Sequence, residues 1–180
     1  MLGLMTNDLE VGNYALGKQI VTRLPHISYA IAMGTMPIFA KIDSSNKAQR
    51  KKIFIRLLKT NALIFTPIIL GIIFLSGFLV PLIYGEAYID AILPLQILSL
   101  YVLIFTFAVF FNQLLDYQGL AKLRAINLII SMFLNIGLNY YLIPIYGAVG
   151  AAISTSIAYL PYFVLNFIEV RKVLLNDETS

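Results

Sequence analysis

The chain has 180 residues, of which 59% are hydrophobic and only 12% are charged. Soluble domains carry roughly 25% charged residues, so this composition predicts a protein that lies in lipid. The lack of cysteine and the single histidine exclude a disulfide framework, a thiol nucleophile and a metal site built from Cys or His clusters, and we expect no cofactor.

The predicted elements are membrane-spanning helices. Residues 1–6 predict the last turn of a spanning helix whose beginning is missing, and not a signal peptide, because no basic segment and no long apolar stretch precede Asp8. Five apolar runs follow, each long enough to cross a hydrocarbon core of about 30 Å. They lie at about 11–40, 58–83, 89–115, 123–143 and 147–170. The fold class predicted is therefore an all-α membrane protein, a polytopic bundle of about five full helices plus a stub.

Prolines and a glycine mark breaks within and between these runs. Pro25 and Pro37 interrupt the first run. The last two runs meet at a break from Pro144 to Gly147, where proline cannot continue the preceding helix and glycine can begin the next. This pattern predicts an antiparallel hairpin with a very short turn.

Positive charge alternates along the breaks. The segment between Pro37 and Pro67 is strongly basic with the lone acid Asp43, whereas the next break has only acids, Glu86 and Asp90. Later basic positions are Lys122, Arg124, Arg171 and Lys172. Because Lys and Arg near helix ends resist translocation, the basic breaks and the C-terminus are predicted to be cytoplasmic, in a multi-pass protein of the plasma membrane. The net charge of +4 thus indicates membrane lipids, and not nucleic acid, as the partner of these basic residues.

The first run has a polar face. At about 100° per residue, Lys18, Gln19, Arg23 and His26 fall within one arc of the predicted helix. Two interpretations stay open: the cations either reach toward lipid headgroups or line a watery cavity. For His26 we expect a packed or hydrogen-bonded side chain rather than a proton carrier.

The fourth run has a second polar stripe. Asn127, Ser131, Asn135 and Asn139 lie on one face of the predicted helix, below Arg124. An amide within hydrocarbon must find partners, so this stripe faces protein or water. Interhelical hydrogen bonding and cavity lining are both compatible with it. No nucleotide-binding loop, metalloprotease motif, nucleophile elbow or paired intramembrane carboxylates occur, so the sequence predicts no catalytic residues and a protein that is not an enzyme.

Four stretches carry a family resemblance. They read EVGNYALGKQI, MPIFAK, PLIYGEAYIDAILPLQIL and NYYLIPIYGAVGAAISTSIAY. Together with the pattern of spans, they resemble the C-terminal lobe of polysaccharide-biosynthesis flippases, relatives of O-antigen flippases in the multidrug/oligosaccharidyl-lipid/polysaccharide exporter superfamily. The resemblance covers essentially the whole chain, and its most specific part is IPIYGAVGAAISTSI.

The resemblance implies that this chain is half of a two-lobed transporter. The N-terminal lobe of that transporter, which this sequence lacks, is then an expected partner. It implies translocation of polyprenyl-pyrophosphate-linked oligosaccharide or polysaccharide precursors for the cell envelope. Arg23, with Lys18, is then the expected phosphate-neutralising cation, and Gln19, His26, Asn127, Asn135 and Asn139 are further candidates for cavity lining. Two alternatives remain: a cation-coupled drug or metabolite antiporter of the same superfamily, which would be expected to place acids within spans, and a non-transporting membrane assembly subunit.

Overall fold

Long apolar runs without strand alternation give an all-α architecture. The computed structural model describes residues 1–41 and 47–175, with side chains described for 1–35 and 48–175. The basic segment between the first two runs is therefore described only in part, and Asp43 lies outside the described residues. The elements are α1 Leu2–Met5, α2 Asp8–Val21, α3 Pro25–Lys41, α4 Lys47–Tyr84, a 3-10 helix Glu86–Ala91, α5 Ile92–Tyr117 and α6 Ala121–Leu175.

Within residues 1–41 and 47–175, three helices are long and apolar enough to cross a membrane. They cover Ala48–Tyr84, Glu86–Tyr117 and Ala121–Leu175. Their outward faces carry large apolar side chains, such as Leu63 and Phe74, each 79% exposed. Water would oppose such exposure and hydrocarbon favours it. The chain is an all-α membrane protein, as the sequence predicts.

The first predicted span is divided. α2 ends at Val21 and α3 begins at Pro25, so the chain leaves the helical path at residues 22–24. Proline disfavours helical backbone at the residue before it and suits the first position of a new helix, which explains the site of the break. Pro37 does not interrupt the helix, because α3 continues through it to Lys41. At 14 and 17 residues, α2 and α3 are each shorter than the roughly 20 residues that a spanning helix needs.

α4 is longer than the span predicted within it. It has 38 residues, about 57 Å at 1.5 Å per residue, against a hydrocarbon core of about 30 Å. Its additional residues precede Leu58 and are rich in Lys and Arg, which are good helix formers. The basic segment from Lys47 is therefore helical and continuous with the apolar part.

α6 is a hairpin of two arms, 121–146 and 148–175. Gly147 has φ 53° and ψ −127°, a backbone conformation that residues with a Cβ atom rarely adopt. The chain reverses its direction at this glycine. The arms run antiparallel, since Asn127 Nδ2 donates to Asn166 Oδ1 at 2.8 Å and Ser131 Oγ donates to the Ala158 carbonyl. Close to the turn, a Cβ on Gly150 would overlap the carbonyl of Leu142, so the arms approach backbone to backbone.

α5 occupies the centre of the bundle. It contacts α2, α3, α4 and α6, and the largest run of buried side chains in the described chain lies along it. Val102 and Leu95 pack with α2 and α4, and Phe111 packs with Phe54 of α4. The space that α5 leaves between α2 and the α6 hairpin holds the candidate site.

Candidate functional site: a polar cavity beside the α6 hairpin

A cavity of about 540 Å³ lies between α2, α5 and both arms of α6. Its volume falls within the range of about 300 to 1,000 Å³ that is usual for small-molecule sites. The polar and aromatic side chains that line it are Tyr14, Lys18, Thr22, Tyr101, Ser131, Asn135, Asn139, Thr155 and Tyr159. An apolar bundle thus has a half-open pocket whose wall combines polar groups with apolar side chains.

α2 supplies the charged part of this wall. Glu10, near the start of α2, accepts a hydrogen bond from the Ala148 N–H at 2.6 Å and so fixes α2 beside the second arm of α6. One turn further, the Tyr14 hydroxyl lies 3.3 Å from Thr155 Oγ1. Lys18 follows on the same face, with Nζ 5.8 Å from the centroid of the Tyr14 ring. Among the cavity-lining residues, Lys18 has the only charged side chain.

The first arm of α6 supplies neutral amides. Asn139 Nδ2 donates to Asn135 Oδ1 at 2.8 Å, an i, i+4 bond along the helix. The other end of the Asn139 amide, Oδ1, is buried and has no hydrogen-bond partner among the described residues. On the second arm the hydroxyl of Tyr159 is also buried and unpartnered within the described chain. Two residues of the wall therefore have unused hydrogen-bonding capacity.

The structure brings only some of the predicted site residues together. Lys18, Asn135 and Asn139 line the cavity. Gln19, Arg23 and His26 are exposed and do not line it. For Arg23 and His26 the cause is the break at residues 22–24, because positions at and beyond it no longer follow the helical arc of Lys18, whereas Gln19 lies on α2 itself, about 100° around the helix from Lys18.

Asn127 lies in a packed seam and not in the cavity. Its Nδ2 donates to Asn166 Oδ1, and Asn166 Nδ2 in turn lies 3.4 Å from Asn112 Oδ1. The Tyr162 hydroxyl donates to the same Asn112 oxygen at 2.7 Å. These four buried side chains join α5 to both arms of α6, and for Asn127 they favour the interhelical interpretation.

Sequence reasoning assigned no role to several of these residues. Tyr101 and Tyr159 line the cavity, and Asn112, Asn166 and Tyr162 build the seam. The only signal in the sequence was the presence of amides and tyrosines within uncharged runs. That signal shows that partners must exist and does not say which helix provides them.

Beyond the cavity, other polar side chains also join helices. Ser28 Oγ donates to Asn61 Oδ1 at 2.9 Å, and Asn61 Nδ2 donates to Thr106 Oγ1 at 3.0 Å, which links α3, α4 and α5. At the end of α5, Asp116 pairs with Arg124 of α6 at 2.8 Å. In residues 1–41 and 47–175, no three potential metal ligands of the types His, Cys, Asp and Glu come together.

Comparison with known proteins identifies the family. A family model described as polysaccharide biosynthesis protein matches residues 1–93, which include α2, α3, α4 and the start of α5. The chain belongs to this family. The resemblance predicted from the sequence is thereby confirmed, although the family model ends before residues 143–157, the stretch that was expected to be most specific.

A curated relative extends the similarity over most of the chain. The probable low-salt glycan biosynthesis flippase Agl15 of Haloferax volcanii is 25% identical over 167 residues, which cover 92% of this chain and 35% of the relative. The chain thus spans about a third of that relative's length. No solved structure matches the chain.

Proposed function

We propose that this chain is part of a membrane transporter, and not an enzyme, that translocates polyprenyl-diphosphate-linked glycan precursors across the plasma membrane. The observation that carries the proposal is the polar cavity of about 540 Å³ inside an apolar helical bundle of this family. Polar groups within a membrane protein are costly unless they serve packing or a solute. The name of the Haloferax relative, a probable glycan biosynthesis flippase, supports a role in translocating a glycan precursor.

Lys18 is the cation best placed for the substrate. A lipid-linked diphosphate must bring negative charge through a medium of low dielectric constant, and a fixed cation lowers that barrier. Lys18 lines the cavity, whereas Arg23, the residue favoured by the sequence, is exposed at the break between α2 and α3. The proposal therefore transfers the main charge-neutralising role from Arg23 to Lys18.

The chain acts together with further polypeptide. A relative nearly three times longer supports the expectation that a second lobe completes the transporter. α1 contributes Leu2 to the lining of the cavity. Substrate passage is proposed for the assembled protein and not for these helices alone.

The composition of the cavity separates this proposal from the antiporter alternative. A cation-coupled antiporter would be expected to place an acidic side chain where H⁺ or Na⁺ can bind. No residue that lines the cavity is acidic, and Glu10 is engaged with the Ala148 N–H near the end of α2. The assembly-subunit alternative gives no reason for a polar cavity.

A glycan-export assay with matched variants tests the function. In the complete protein, Lys18→Gln is expected to reduce export at least tenfold because it removes the cavity's cation. Arg23→Gln removes a cation of the same chain that lies outside the cavity, and it should stay within twofold of wild type. Export is compared at equal protein level in membranes. Normal export by Lys18→Gln would contradict the proposed charge neutralisation.

The proposed orientation has its own test. Because the sequence has no cysteine, single cysteines at Lys52, Glu86 and Tyr146 can be labelled in intact cells with a membrane-impermeant thiol reagent. Labelling is expected at positions 86 and 146 and not at 52, which places the basic start of α4 and the C-terminus in the cytoplasm. The reverse pattern would invert the topology.

A further inference from the structure

The cavity wall is chemically neutral apart from one residue. Lys18 is exposed and lies over the ring of Tyr14, while the remaining polar groups of the wall are amides and hydroxyls. Diphosphate sites in proteins use several cations or a series of backbone N–H donors. A single lysine meets that requirement poorly, so most of this wall is suited to an uncharged ligand group.

The unpartnered oxygen of Asn139 adds a second constraint. Asn139 donates through Nδ2 to Asn135, which leaves Oδ1 as a buried acceptor without a donor in the described chain. An amide oxygen can only accept hydrogen bonds, and so can the oxygens of an ionised diphosphate. The two would repel each other. Because the terminal torsion of asparagine is soft, a hydroxyl or N–H group in the cavity can engage this oxygen.

Tyr159 extends the same site on the opposite arm of the hairpin. Its hydroxyl is buried without a partner, and its ring meets that of Tyr101 edge to face at 5.0 Å between centroids. Tyr14 adds a third ring to the wall. Such side chains combine an apolar face with a hydroxyl that both donates and accepts. A sugar ring has matching features, since its faces are C–H surfaces and its edge carries hydroxyl groups.

We infer that this cavity binds the glycan part of the substrate, with Asn139 Oδ1 accepting from and Tyr159 Oη bonding to sugar hydroxyl or amide groups, while Lys18 alone faces the diphosphate. The inference rests on the proposed function, because it assumes that the substrate is a lipid-linked glycan. It assigns a carbohydrate subsite to α6, whose amides carry no charge.

Binding of two lipids to the full-length protein in nanodiscs tests the inference. One lipid is polyprenyl diphosphate, and the other is the glycan-bearing form of the same lipid extracted from the source organism. Dissociation constants are measured by native mass spectrometry. Tyr159→Phe and Asn139→Leu should each weaken binding of the glycan-bearing lipid about five- to tenfold, the loss expected for one hydrogen bond, and leave binding of the glycan-free lipid within twofold.

Two further variants separate the roles. Lys18→Gln should weaken binding of both lipids by the same factor, because the diphosphate is common to them. Tyr140→Phe removes a hydroxyl next to Asn139 that is exposed and outside the cavity, and it should change neither constant. Tyr159→Phe preserves the ring and its packing, so it keeps the test valid if Asn139→Leu fails to fold.

The outcomes are distinguishable. Equal effects of Tyr159→Phe on both lipids, or no effect on either, would overturn the glycan subsite while leaving the proposed transport intact. Failure of the wild-type protein to bind either lipid would contradict the proposed function, and the inference would fall with it. Selective loss of the glycan-bearing lipid in both variants supports the assignment.

Discussion

The two ends of one polar stripe on α6 behave differently. Near the start of the first arm, Asn127 is buried and bonded to Asn166, which reaches Asn112 of α5. Nearer the turn, Asn135 and Asn139 bond to each other and line the cavity. The same residue type, repeated on one helical face, therefore joins helices at one end and forms the wall of a site at the other.

The difference lies in what faces each end. Opposite Asn127 the second arm presents an amide, so side-chain hydrogen bonds close the space between the arms. Nearer the turn the arms meet through backbone, at Gly150 and Leu142, and Asn135 and Asn139 bond to each other along the first arm. The comparison teaches that a hairpin held by its backbone can leave its polar side chains available for a ligand.

The largest expected effect concerns the backbone contact. Gly150→Val should lower the free energy of unfolding by about 3 kcal/mol, because its side chain would overlap the Leu142 carbonyl and force the arms apart. Chemical unfolding in detergent micelles measures the change. Gly137→Ala is the matched control on the same helix, since a Cβ there meets no atom within 4 Å. Equal stability of the two variants would show that the arms do not depend on this approach.

The next effect concerns the seam. Asn166→Leu should cost about 2 kcal/mol, since it removes the acceptor of Asn127 and leaves that buried amide without its partner. The same unfolding experiment applies. Tyr162 still donates to Asn112 in this variant, so the seam loses its connection to the first arm while α5 keeps one bond. If the free energy of unfolding changed by less than about 0.5 kcal/mol, the seam would contribute no more to stability than the cavity wall is expected to.

A smaller effect is expected where α2 meets the turn. Glu10→Gln should cost about 1 kcal/mol, because the Ala148 N–H then bonds to a neutral oxygen and the favourable charge at the start of the second arm is lost. Asp8→Asn removes the other acid of the first turn, which is exposed, and is the control. The midpoint of thermal unfolding in detergent compares the two. A larger shift for Asp8→Asn would contradict the role of Glu10.

The smallest effect is expected in the cavity. Asn135→Ala should change the free energy of unfolding by less than about 0.5 kcal/mol, because its partner Asn139 lies in a wall that solvent or ligand can reach. The measurement is the one used for Asn166→Leu, and the pair forms the direct comparison. A loss as large as that of Asn166→Leu would mean that this end of the stripe is structural as well.

Turns and helix breaks that proline and glycine cause could be predicted from the sequence. The break at Pro144 to Gly147 predicted a hairpin, and the structure reverses the chain at Gly147. The division at Pro25 has a local cause too, yet its effect on the positions of Arg23 and His26 required the actual path of residues 22–24. A helical wheel assumes a straight helix, so it could not separate these residues from Lys18.

The candidate site was predictable only in part for a related reason. Periodicity indicated that Asn127, Asn135 and Asn139 share a face, and it could not show which of them meets an amide on another helix. That choice depends on the register of the two arms, which the conformation of Gly147 and the close approach at Gly150 determine. Tyr101 and Tyr159 come together through the packing of α5 and α6, which no local pattern encodes.

The reversal at a single glycine also bears on how the protein enters the membrane during synthesis. From Ala125 to Ile168 there is no charged residue, and the turn between the arms has no hydrophilic segment to be held back or exported on its own. The orienting cations lie at the outer ends of the pair, with Lys122 and Arg124 at the start of the first arm and Arg171 and Lys172 near the end of the second. In the proposed orientation, the insertion machinery would receive the two arms as one apolar unit, with both of its ends on the cytoplasmic side.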